Sequence, residues 1–593
     1  MSDGMKDKQK PKILLCNIAL RDKADTFPPV ACTTLCNILL KEGYDTRFYD
    51  IDAQRPSFEE LSSFFSHERF GIVGISAVAS TGYQYTKNLA SIIKKYSPQT
   101  QIILGGNLAS ACEVILRKCD IDVCVIGEGE KVLLNLVRHW EEYGSFKPGN
   151  RQLGRIRGIA FLAPDGTCRI TGHEKPINGD EIEQPDYELL GRFSGIEQYI
   201  LDPMTRWDFA EDTRSYEAHR KGKKMATIFT SKGCVNRCTF CHRWVKGYRV
   251  ISVGKVITAM KHLMDEYNVG FFCISVECFG ENKQWVEKFI EEVGSLDILF
   301  QIAGARVSII KKDSSIIRRL KEVGLTVIRF GMESGSDKIL TIMEKNANRA
   351  QNLMAARVYS EAGVRTTIQL VIGMPGENEQ TINETIEFVK EATGDLPYPS
   401  LLSINYLQSL PGTPCYEFLR SRGLIGGTIE DEERYLLDVS DINASEFEQY
   451  VNVSEEPLSK VRSWRMKINL LTRIHWLKRH GWRFPADQIK REGHLKRKKE
   501  KSVFSLRLFL KSRMITYRII DLMGEFFWKI VVFGNCCSLR GLRKALLITF
   551  GLVKEEDRSP FKIGADPLRK ILQIKLDGIS ESKGIVYGQG EEY

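Results

Sequence analysis

Short apolar runs alternate with amphipathic segments through the first 145 residues. The runs are residues 12–20, 46–51, 71–78, 101–104 and 123–126. They are almost continuously apolar, as strands are when both faces of a parallel sheet are covered. The segments between them have the apolar spacing of helices, as in residues 31–41, 83–95 and 130–141. The pattern predicts an α/β chain in which residues 10–145 form a five-stranded, doubly wound domain of the Rossmann or flavodoxin type.

Residues 146–224 are predicted to connect this domain to a second one. Two β-type runs, residues 156–162 and 168–171, flank the turn Asp165-Gly166 and predict a β-hairpin. Residues 195–220 are polar and aromatic, and we expect them to pack over an active site.

The alternation resumes in residues 225–420. Strand-like runs occupy residues 225–230, 270–276, 299–303, 326–330, 365–372 and 402–406, with helical patterns between them. About six βα units predict a partial (β/α)6 barrel resembling part of a TIM barrel. Functional residues of such barrels lie at the carboxyl ends of the strands.

The remaining residues, 421–593, are predicted to form a basic, mainly helical region. Between Lys460 and Arg518 there are 19 Lys and Arg residues and three acidic ones, an excess of +16, so the net charge of +10 of the whole chain comes from this segment. Residues 514–532 have four charges at helical spacing, too many for a membrane-spanning helix. The amphipathic helix predicted there packs on the barrel or lies on an anionic membrane surface. No nucleic-acid module is evident, so we expect no nucleic-acid partner.

The cysteine content and the first residues bear on the compartment. Residues 1–10 have no apolar stretch of the kind found in signal peptides. Fifteen cysteines in a chain without such a stretch indicate a reducing compartment rather than a disulfide framework. We therefore expect a cytoplasmic protein, with or without membrane association.

Three cysteines, Cys234, Cys238 and Cys241, follow a predicted strand in a C-x3-C-x2-C array. Three thiolates can hold three irons of a 4Fe-4S cluster and leave the fourth iron open to a small chelating molecule. The alternatives are a zinc site completed by His242 or unrelated buried cysteines. Zinc sites, however, favour four ligands in paired sets. Cys278, near another predicted strand end, is expected to pack in the core.

With Phe240 as the aromatic residue before the last cysteine, this segment resembles the signature of the radical S-adenosylmethionine enzymes. The resemblance implies that Cys234, Cys238 and Cys241 hold the cluster and that S-adenosylmethionine chelates the open iron. It also implies an electron donor such as flavodoxin or ferredoxin, and a radical that takes a hydrogen atom from the substrate.

The same resemblance implies residues that contact S-adenosylmethionine. Glu333 and Ser334 lie in the segment that contacts its ribose and amino acid parts, and Gly373 lies beside its adenine. Arg306 is a candidate partner for its carboxylate, with an ion pair inside the protein as the alternative. The Gly-Gly-Glu segment common in the family is absent here, and Glu277 is the remaining candidate for the amino group.

A doubly wound domain before the cysteine array resembles the cobalamin-binding branch of this family. The resemblance implies cobalamin at the strand ends of the first domain, at Ser76, Ser80, Gly105, Gly106, Gly127, Glu128 and Gly129. The D-x-H-x-x-G segment that supplies a lower histidine ligand to cobalt in some cobalamin proteins is missing. The resemblance therefore implies cobalamin without that ligand.

The activity implied by this branch is methylation of an unactivated carbon in a small-molecule or lipid substrate, with methylcobalamin as methyl donor. Two alternatives stay open. One is a cobalamin-dependent oxidative cyclisation or rearrangement. The other is a radical enzyme whose first domain is only a scaffold.

Overall fold

The structure is a computed structural model, and it describes residues 10–21, 23–146, 152–242, 247–396, 401–441 and 448–480. The strands in these ranges are β1 Ile13–Asn17, β2 Thr46–Asp50, β3 Ile72–Ser76, β4 Gln101–Gly105, β5 Val123–Val125, β6 Ile159–Leu162, β7 Cys168–Ile170, β8 Lys224–Ile228, β9 Ser231–Lys232, β10 Arg249–Val250, β11 Val269–Ile274, β12 Leu299–Ala305, β13 Leu325–Glu333, β14 Thr367–Ile372 and β15 Leu401–Tyr406.

The α-helices in the same ranges are α1 Val30–Lys41, α2 Ile51–Gln54, α3 Phe58–His67, α4 Tyr83–Tyr96, α5 Cys112–Lys118, α6 Gly129–Tyr143, α7 Tyr187–Phe193, α8 Trp207–Ala210, α9 Val253–Tyr267, α10 Lys283–Val293, α11 Ser308–Lys312, α12 Ile316–Glu322, α13 Asp337–Ile342, α14 Arg349–Glu361, α15 Glu379–Thr393, α16 Pro414–Ser421, α17 Ile429–Val439 and α18 Leu458–His480.

The first sheet has the strand order β2-β1-β3-β4-β5-β6-β7. Strands β1 to β5 pair in parallel, which confirms the doubly wound fold. The order reverses between β1 and β3, where sheets of this kind open a crevice for ligands at the strand carboxyl ends. The predicted hairpin forms as β6 and β7, and β6 joins the sheet antiparallel to β5. The connector thus covers an edge of β5 that would otherwise be unpaired.

The second sheet has the order β15-β14-β13-β12-β11-β8, with all six strands parallel. This confirms the partial barrel. Side chains alternate between its faces, as the strand period of two requires. Ile228, Phe272 and Phe300 belong to the main core with the outer helices, whereas Met225 and Phe271 belong to a separate cluster on the concave face.

The aromatic part of the connector fills the amino-terminal part of this concave face. Phe209 in α8 is fully buried and lies against the ring of Phe271, with centroids 5.2 Å apart. Leu201 pairs with Met225 as an isolated antiparallel bridge on β8. The expectation that residues 195–220 pack over the active site is therefore wrong for this part. Its apolar side chains instead cover the apolar first residues of the barrel strands.

Helices after the barrel tie the two sheets together. Helix α17 packs on α4 and α5, where the Tyr83 hydroxyl donates to Glu433 at 2.8 Å. Helix α18 packs on α15, where Trp464 is fully buried and donates to Glu379 at 2.9 Å. No helix in the described ranges is both long and apolar enough to cross a bilayer. The helix predicted at 514–532 lies outside these ranges.

We expect Phe209→Ala to lower the free energy of unfolding by about 3–5 kcal/mol, because it removes a fully buried ring and leaves a cavity. Chemical denaturation followed by tryptophan fluorescence measures the change. The matched control is Phe58→Ala, whose ring is 38% exposed, and we expect it to change stability far less. Equal losses in the two variants would contradict the packing role assigned to the connector.

Candidate active site

The cysteine array lies in a loop directly after β8. The short hairpin of β9 and β10 brackets the loop, since Lys232 pairs with Arg249 in antiparallel register. Gly233 has φ +81°, and a Cβ there would lie 2.1 Å from the carbonyl oxygen of Gly247. Only glycine therefore permits the hairpin to close at this point. The loop stands at the carboxyl end of the barrel, as predicted.

Hydrogen bonds fasten this loop to the segment after α13. The Thr239 backbone N–H donates to the Met343 carbonyl at 3.0 Å. The Asn236 amide donates to the Lys345 carbonyl at 2.9 Å. The loop is thus held on both sides of Cys238, which is 6% exposed. These bonds do not involve a ligand, so the protein itself supports the loop conformation.

The environment of two thiols of the array, Cys234 and Cys238, favours the thiolate. A hydrogen bond from Cys278, with further donation by the Asn236 N–H, lowers the pKa of Cys234 to about 6. A hydrogen bond from Cys241 lowers the pKa of Cys238 to about 7, and the same bond raises the pKa of Cys241 well above its ordinary value. Thiolates are the ligands of iron–sulfur clusters. The donor set therefore fits a cluster.

The zinc alternative finds no support here. His242 has both ring nitrogens buried without a hydrogen-bond partner, and burial lowers its pKa to about 4. In the described part of the chain, no three His, Cys, Asp or Glu side chains are arranged around one metal position. Zinc requires such a group. In a 4Fe-4S cluster each thiolate holds a different iron, so the three sulfurs need not share one metal.

Glu333 stands at the end of β13 in a strained conformation. Its φ is +62°, unusual for a residue other than glycine. Its carboxylate accepts a hydrogen bond from Lys345 Nζ at 2.9 Å. A Cβ on Gly331 would lie 2.4 Å from Glu333 Oε1, so a larger residue there would displace the carboxylate from its present position. Strain of this kind concentrates at functional sites, and a carboxylate can accept hydrogen bonds from ribose hydroxyls.

The other candidates for contact with S-adenosylmethionine differ in their solvent exposure and in their partners within the protein. The Ser334 hydroxyl is 3.2 Å from that of Thr385 inside the core. Arg306 forms an ion pair with Glu281 at 3.2 Å, and each side chain is 11% exposed, so the pairing alternative is realised. Glu277 is exposed just beyond β11. Glu277 is therefore the most accessible of these predicted residues.

Gly373 lies at the end of β14 beneath a segment that follows the barrel. The Tyr450 hydroxyl donates to the Gly373 carbonyl at 2.9 Å, and a Cβ on Gly373 would clash with the Tyr450 ring. Glu377 accepts from the Gly373 N–H, while its other carboxylate oxygen is buried without a partner. Burial raises the pKa of Glu377 to about 8. Phe240 is half-buried against the core.

The cobalamin candidates share one edge of the first sheet. Ser76, Gly105, Gly106, Gly127 and Gly129 all lie at or just after strand carboxyl ends. The Ser80 hydroxyl is fully buried and has no partner among the described residues. Buried hydroxyls are usually hydrogen-bonded. An unpaired hydroxyl in a ring of glycine-lined strand ends fits the polar groups of a bulky ligand such as cobalamin.

The Glu128 carboxylate of the first domain forms an ion pair with Arg249 of the barrel domain. Arg249 Nη1 donates to Glu128 Oε2 at 3.0 Å, and Arg249 Nη2 also donates to the Oε1 atom. These side chains are only 16% and 9% exposed. Beside them Lys232 pairs with Glu130 at 2.7 Å. The predicted cobalamin-binding carboxylate is thus held by the hairpin that brackets the cysteine loop.

Further contacts join the same two edges. The rings of Phe27, after β1, and Phe229, after β8, lie edge to face with centroids 5.6 Å apart. The Ser110 hydroxyl, after β4, donates to the Pro411 carbonyl, after β15, at 2.7 Å. All four residues follow strands of the two sheets. The carboxyl edges of the two sheets therefore face each other.

Sequence reasoning missed Lys345, Tyr450 and Arg249. Each acts through a tertiary contact, with Glu333, Gly373 and Glu128 respectively. No local pattern marks such residues. Lys345 lies 12 residues after Glu333, beyond the spacing of three or four at which side chains of one helix meet.

Two family models match the chain, one on each of the two domains described above. The B12 binding domain matches residues 18–137, and the Radical SAM superfamily matches residues 228–389. The chain thus contains a B12 binding domain followed by a Radical SAM domain. The first match covers the doubly wound domain, and the second begins at the end of β8 and contains the cysteine array. These two domains imply a 4Fe-4S cluster, S-adenosylmethionine and cobalamin as cofactors.

Similar proteins have different reactions. The chain is 28% identical to the anaerobic magnesium-protoporphyrin IX monomethyl ester cyclase of Cereibacter sphaeroides over 67% of this chain. That match spans only 61% of the cyclase. This chain is also 27% identical to an uncharacterized methyltransferase of Pyrococcus horikoshii, over 68% of this chain and 80% of that protein.

A solved structure shares the fold. The cobalamin-dependent S-adenosylmethionine radical enzyme OxsB matches with a TM-score of 0.59 and 16% identity, over 98% of this chain and 82% of OxsB. That structure contains aqua-cobalamin and S-adenosylmethionine. At this identity the likeness concerns the fold alone.

We expect Cys238→Ala to lose the brown absorbance of the cluster and its bound iron after anaerobic reconstitution, because the array then offers two thiolates instead of three. Iron analysis and absorption spectra measure the loss. The control is Cys124→Ala, a fully buried cysteine of β5 in the first domain, which should retain the cluster. A Cys238→Ala protein with full iron content would contradict the assignment.

We expect Arg249→Gln to reduce the free energy of unfolding by about 3 kcal/mol, because the buried Glu128 carboxylate then keeps only Lys232, 3.8 Å away, as a positively charged partner. The double variant Glu128→Gln/Arg249→Gln should lose less than the sum of the two single variants. A double-mutant cycle of chemical denaturation measures the coupling free energy between the two side chains. Arg318→Gln, which breaks an exposed ion pair with Glu322, is the control and should cost under about 1 kcal/mol. Additive losses would show that the two edges are not joined by this pair.

Proposed function

We propose that this protein transfers a methyl group to an unactivated carbon of a small-molecule or lipid substrate. When bound, the cluster with S-adenosylmethionine supplies hydrogen-atom abstraction, and cobalamin supplies the methyl group. The chain's own residues bind these groups, orient them and keep water away.

The observation that carries the proposal is the meeting of two strand edges. The loop with Cys234, Cys238 and Cys241 and the glycine-lined edge of the first domain face each other, and Arg249 and Glu128 join them. A substrate between these edges is in reach of both. Holding the reacting groups close together and in the right orientation is a large part of what such a protein contributes to the reaction rate.

In this proposal the substrate lies below the cysteine loop, on the concave face of the barrel. Phe209 and its neighbours close the amino-terminal part of the face. Above them, Arg329 donates to Gln301 at 2.6 Å and to Asp208 at 2.6 Å. This layer offers fixed polar groups above an apolar floor, as ligand sites commonly do.

The second candidate function is an oxidative cyclisation or rearrangement. It is favoured by the 28% identity to the anaerobic cyclase. Both functions use the same three cofactors, so the geometry described above serves either. The scaffold interpretation of the first domain loses support because the B12 binding domain model matches residues 18–137.

We further propose that an external electron donor such as flavodoxin or ferredoxin serves the cluster and that the protein works in a reducing compartment. The thirteen cysteines in the described ranges are all free thiols, which agrees with that environment. Contact with a membrane surface through the basic region after residue 460 is a proposal that rests on the sequence.

The fate of S-adenosylmethionine tests the reaction class. Reconstituted protein with cobalamin, a reductant and a pool of candidate lipids, isoprenoids and tetrapyrroles should form both 5′-deoxyadenosine and S-adenosylhomocysteine. The product should gain the mass of one methylene group. Chromatography with mass spectrometry measures all three.

The Cys238→Ala variant is the control and should form no 5′-deoxyadenosine. A product that loses hydrogens or gains oxygen, without S-adenosylhomocysteine, would favour the cyclase reaction. Failure of the wild-type protein to retain cobalamin would contradict methyl transfer.

A further inference from the structure

Two arginines in the lower part of the barrel, Arg206 and Arg329, share one carboxylate. Arg329 Nη2 donates to Asp208 Oδ1 at 2.6 Å, and Arg206 Nε donates to Asp208 Oδ2 at 3.5 Å. The Asp208 side chain is 1% exposed, whereas those of Arg329 and Arg206 are 15% and 35% exposed. Two guanidinium groups around a single carboxylate leave one positive charge unbalanced. We call Arg206 and Arg329 the arginine pair.

Nearby acidic residues do not balance this charge. Those that follow α8 are already paired, Glu211 with Arg365 and Asp212 with Arg214 at 2.8 Å. Among the described residues, Asp208 is the only acidic side chain that contacts the arginine pair. A charge that is partly removed from water is unfavourable without a counter-charge. A bound anion would therefore be stabilised at the arginine pair.

The fold fixes the guanidinium group of Arg329. Its Nη1 donates to Gln301 Oε1 at 2.6 Å, and the fully buried Gln301 donates in turn to Cys273 Sγ at 3.1 Å. The guanidinium carbon lies over the Trp207 ring, 5.7 Å from its centroid. Burial raises the pKa of Cys273, and the charges of the arginine pair oppose that shift, so both charges act on the concave face.

Arg206 offers the donors that a ligand needs. Both of its Nη groups are without a hydrogen-bond partner among the described residues. Carboxylates and phosphates accept pairs of parallel N–H donations from a guanidinium group. Lysine could not offer that planar pair of donors.

The arginine pair lies between the apolar floor and the strand ends. Arg329 comes four residues before Glu333 on β13, which is about 13 Å along the strand at about 3.3 Å per residue. The floor formed by Phe209, Met225 and Phe271 closes the amino-terminal part of the same face. A substrate held at the arginine pair by one end can extend from there towards the cysteine loop.

We propose that Arg206 and Arg329 bind an anionic oxygen group of the substrate, a carboxylate or a phosphate monoester, on the concave face of the barrel. The inference rests on the proposed function, because it takes this face as the substrate site, and it narrows the substrate class to acids. Arg206 and Arg329 thus determine specificity and orient the substrate, with its reacting carbon away from the anionic end.

The test is equilibrium dialysis of three probes of similar shape against the full chain, reconstituted with cluster and cobalamin. The probes are 1-naphthylacetate, 1-naphthyl phosphate and the uncharged 2-(1-naphthyl)ethanol. At least one anion should bind about tenfold or more tightly than the alcohol, as expected for a charge-assisted hydrogen bond. The tighter anion tells a carboxylate substrate from a phosphate substrate. Equal affinities for all three probes, or no measurable binding of either anion, would overturn the inference.

Arg206→Gln is the decisive variant, because it removes the unbalanced charge and leaves the contact between Arg329 and Asp208 in place. Anion affinity should fall about tenfold or more, while affinity for the alcohol stays unchanged. Arg206→Lys keeps the charge and should lose less. An equal loss for anions and alcohol would indicate a disturbed fold and would overturn the inference, as would unchanged anion affinity.

Arg318→Gln is the matched control. It removes the same charge from the outer helix α12, where the side chain is 67% exposed, and should leave all three affinities unchanged. Product analysis separates this inference from the proposed function. Anion preference without any methylated product would overturn the proposed function alone. A methylated product from a substrate without an acidic group would overturn the inference alone.

Discussion

The buried pair of Arg249 and Glu128 is the contact on which the site depends. It joins the hairpin beside the cysteine loop to the loop after β5, and so brings the carboxyl edges of two separate sheets together. A buried ion pair adds little net stability, because desolvation offsets its attraction, but it requires one geometry. The pair therefore determines where the edges meet more than how strongly they adhere.

Electrostatics around the cysteine loop follows from this meeting of elements. Cys278 and Asn236 donate hydrogen bonds to Cys234, and the Asn236 amide also donates to the Lys345 carbonyl at 2.9 Å. Glu333, at the end of β13, accepts a hydrogen bond from the Lys345 ammonium at 2.9 Å. The loop thus holds a balance of charges before any cofactor is bound, as preorganised sites do.

Local patterns predicted the elements that carry the site. The apolar runs at 71–78 and 326–330 correspond to β3 and β13, although β13 extends to Glu333. The extension was not predicted because Gly331 and Glu333, at the carboxyl end of the strand, interrupt its apolar run. The sequence also did not predict where residues 195–220 pack. The partners of Phe209 lie on strands β8 and β11, which are distant from it along the chain.

The sequence by itself determined the two α/β units, the order in which they occur and the three thiols that can hold a cluster. Periodicity and ligand spacing are local properties, so a single segment is enough to reveal them. Only the tertiary structure decided that Glu128 pairs with Arg249, that Lys345 meets Glu333 and that Tyr450 covers Gly373. Those contacts join residues that are distant along the chain, and they exist because folding places the ends of different strands at one edge.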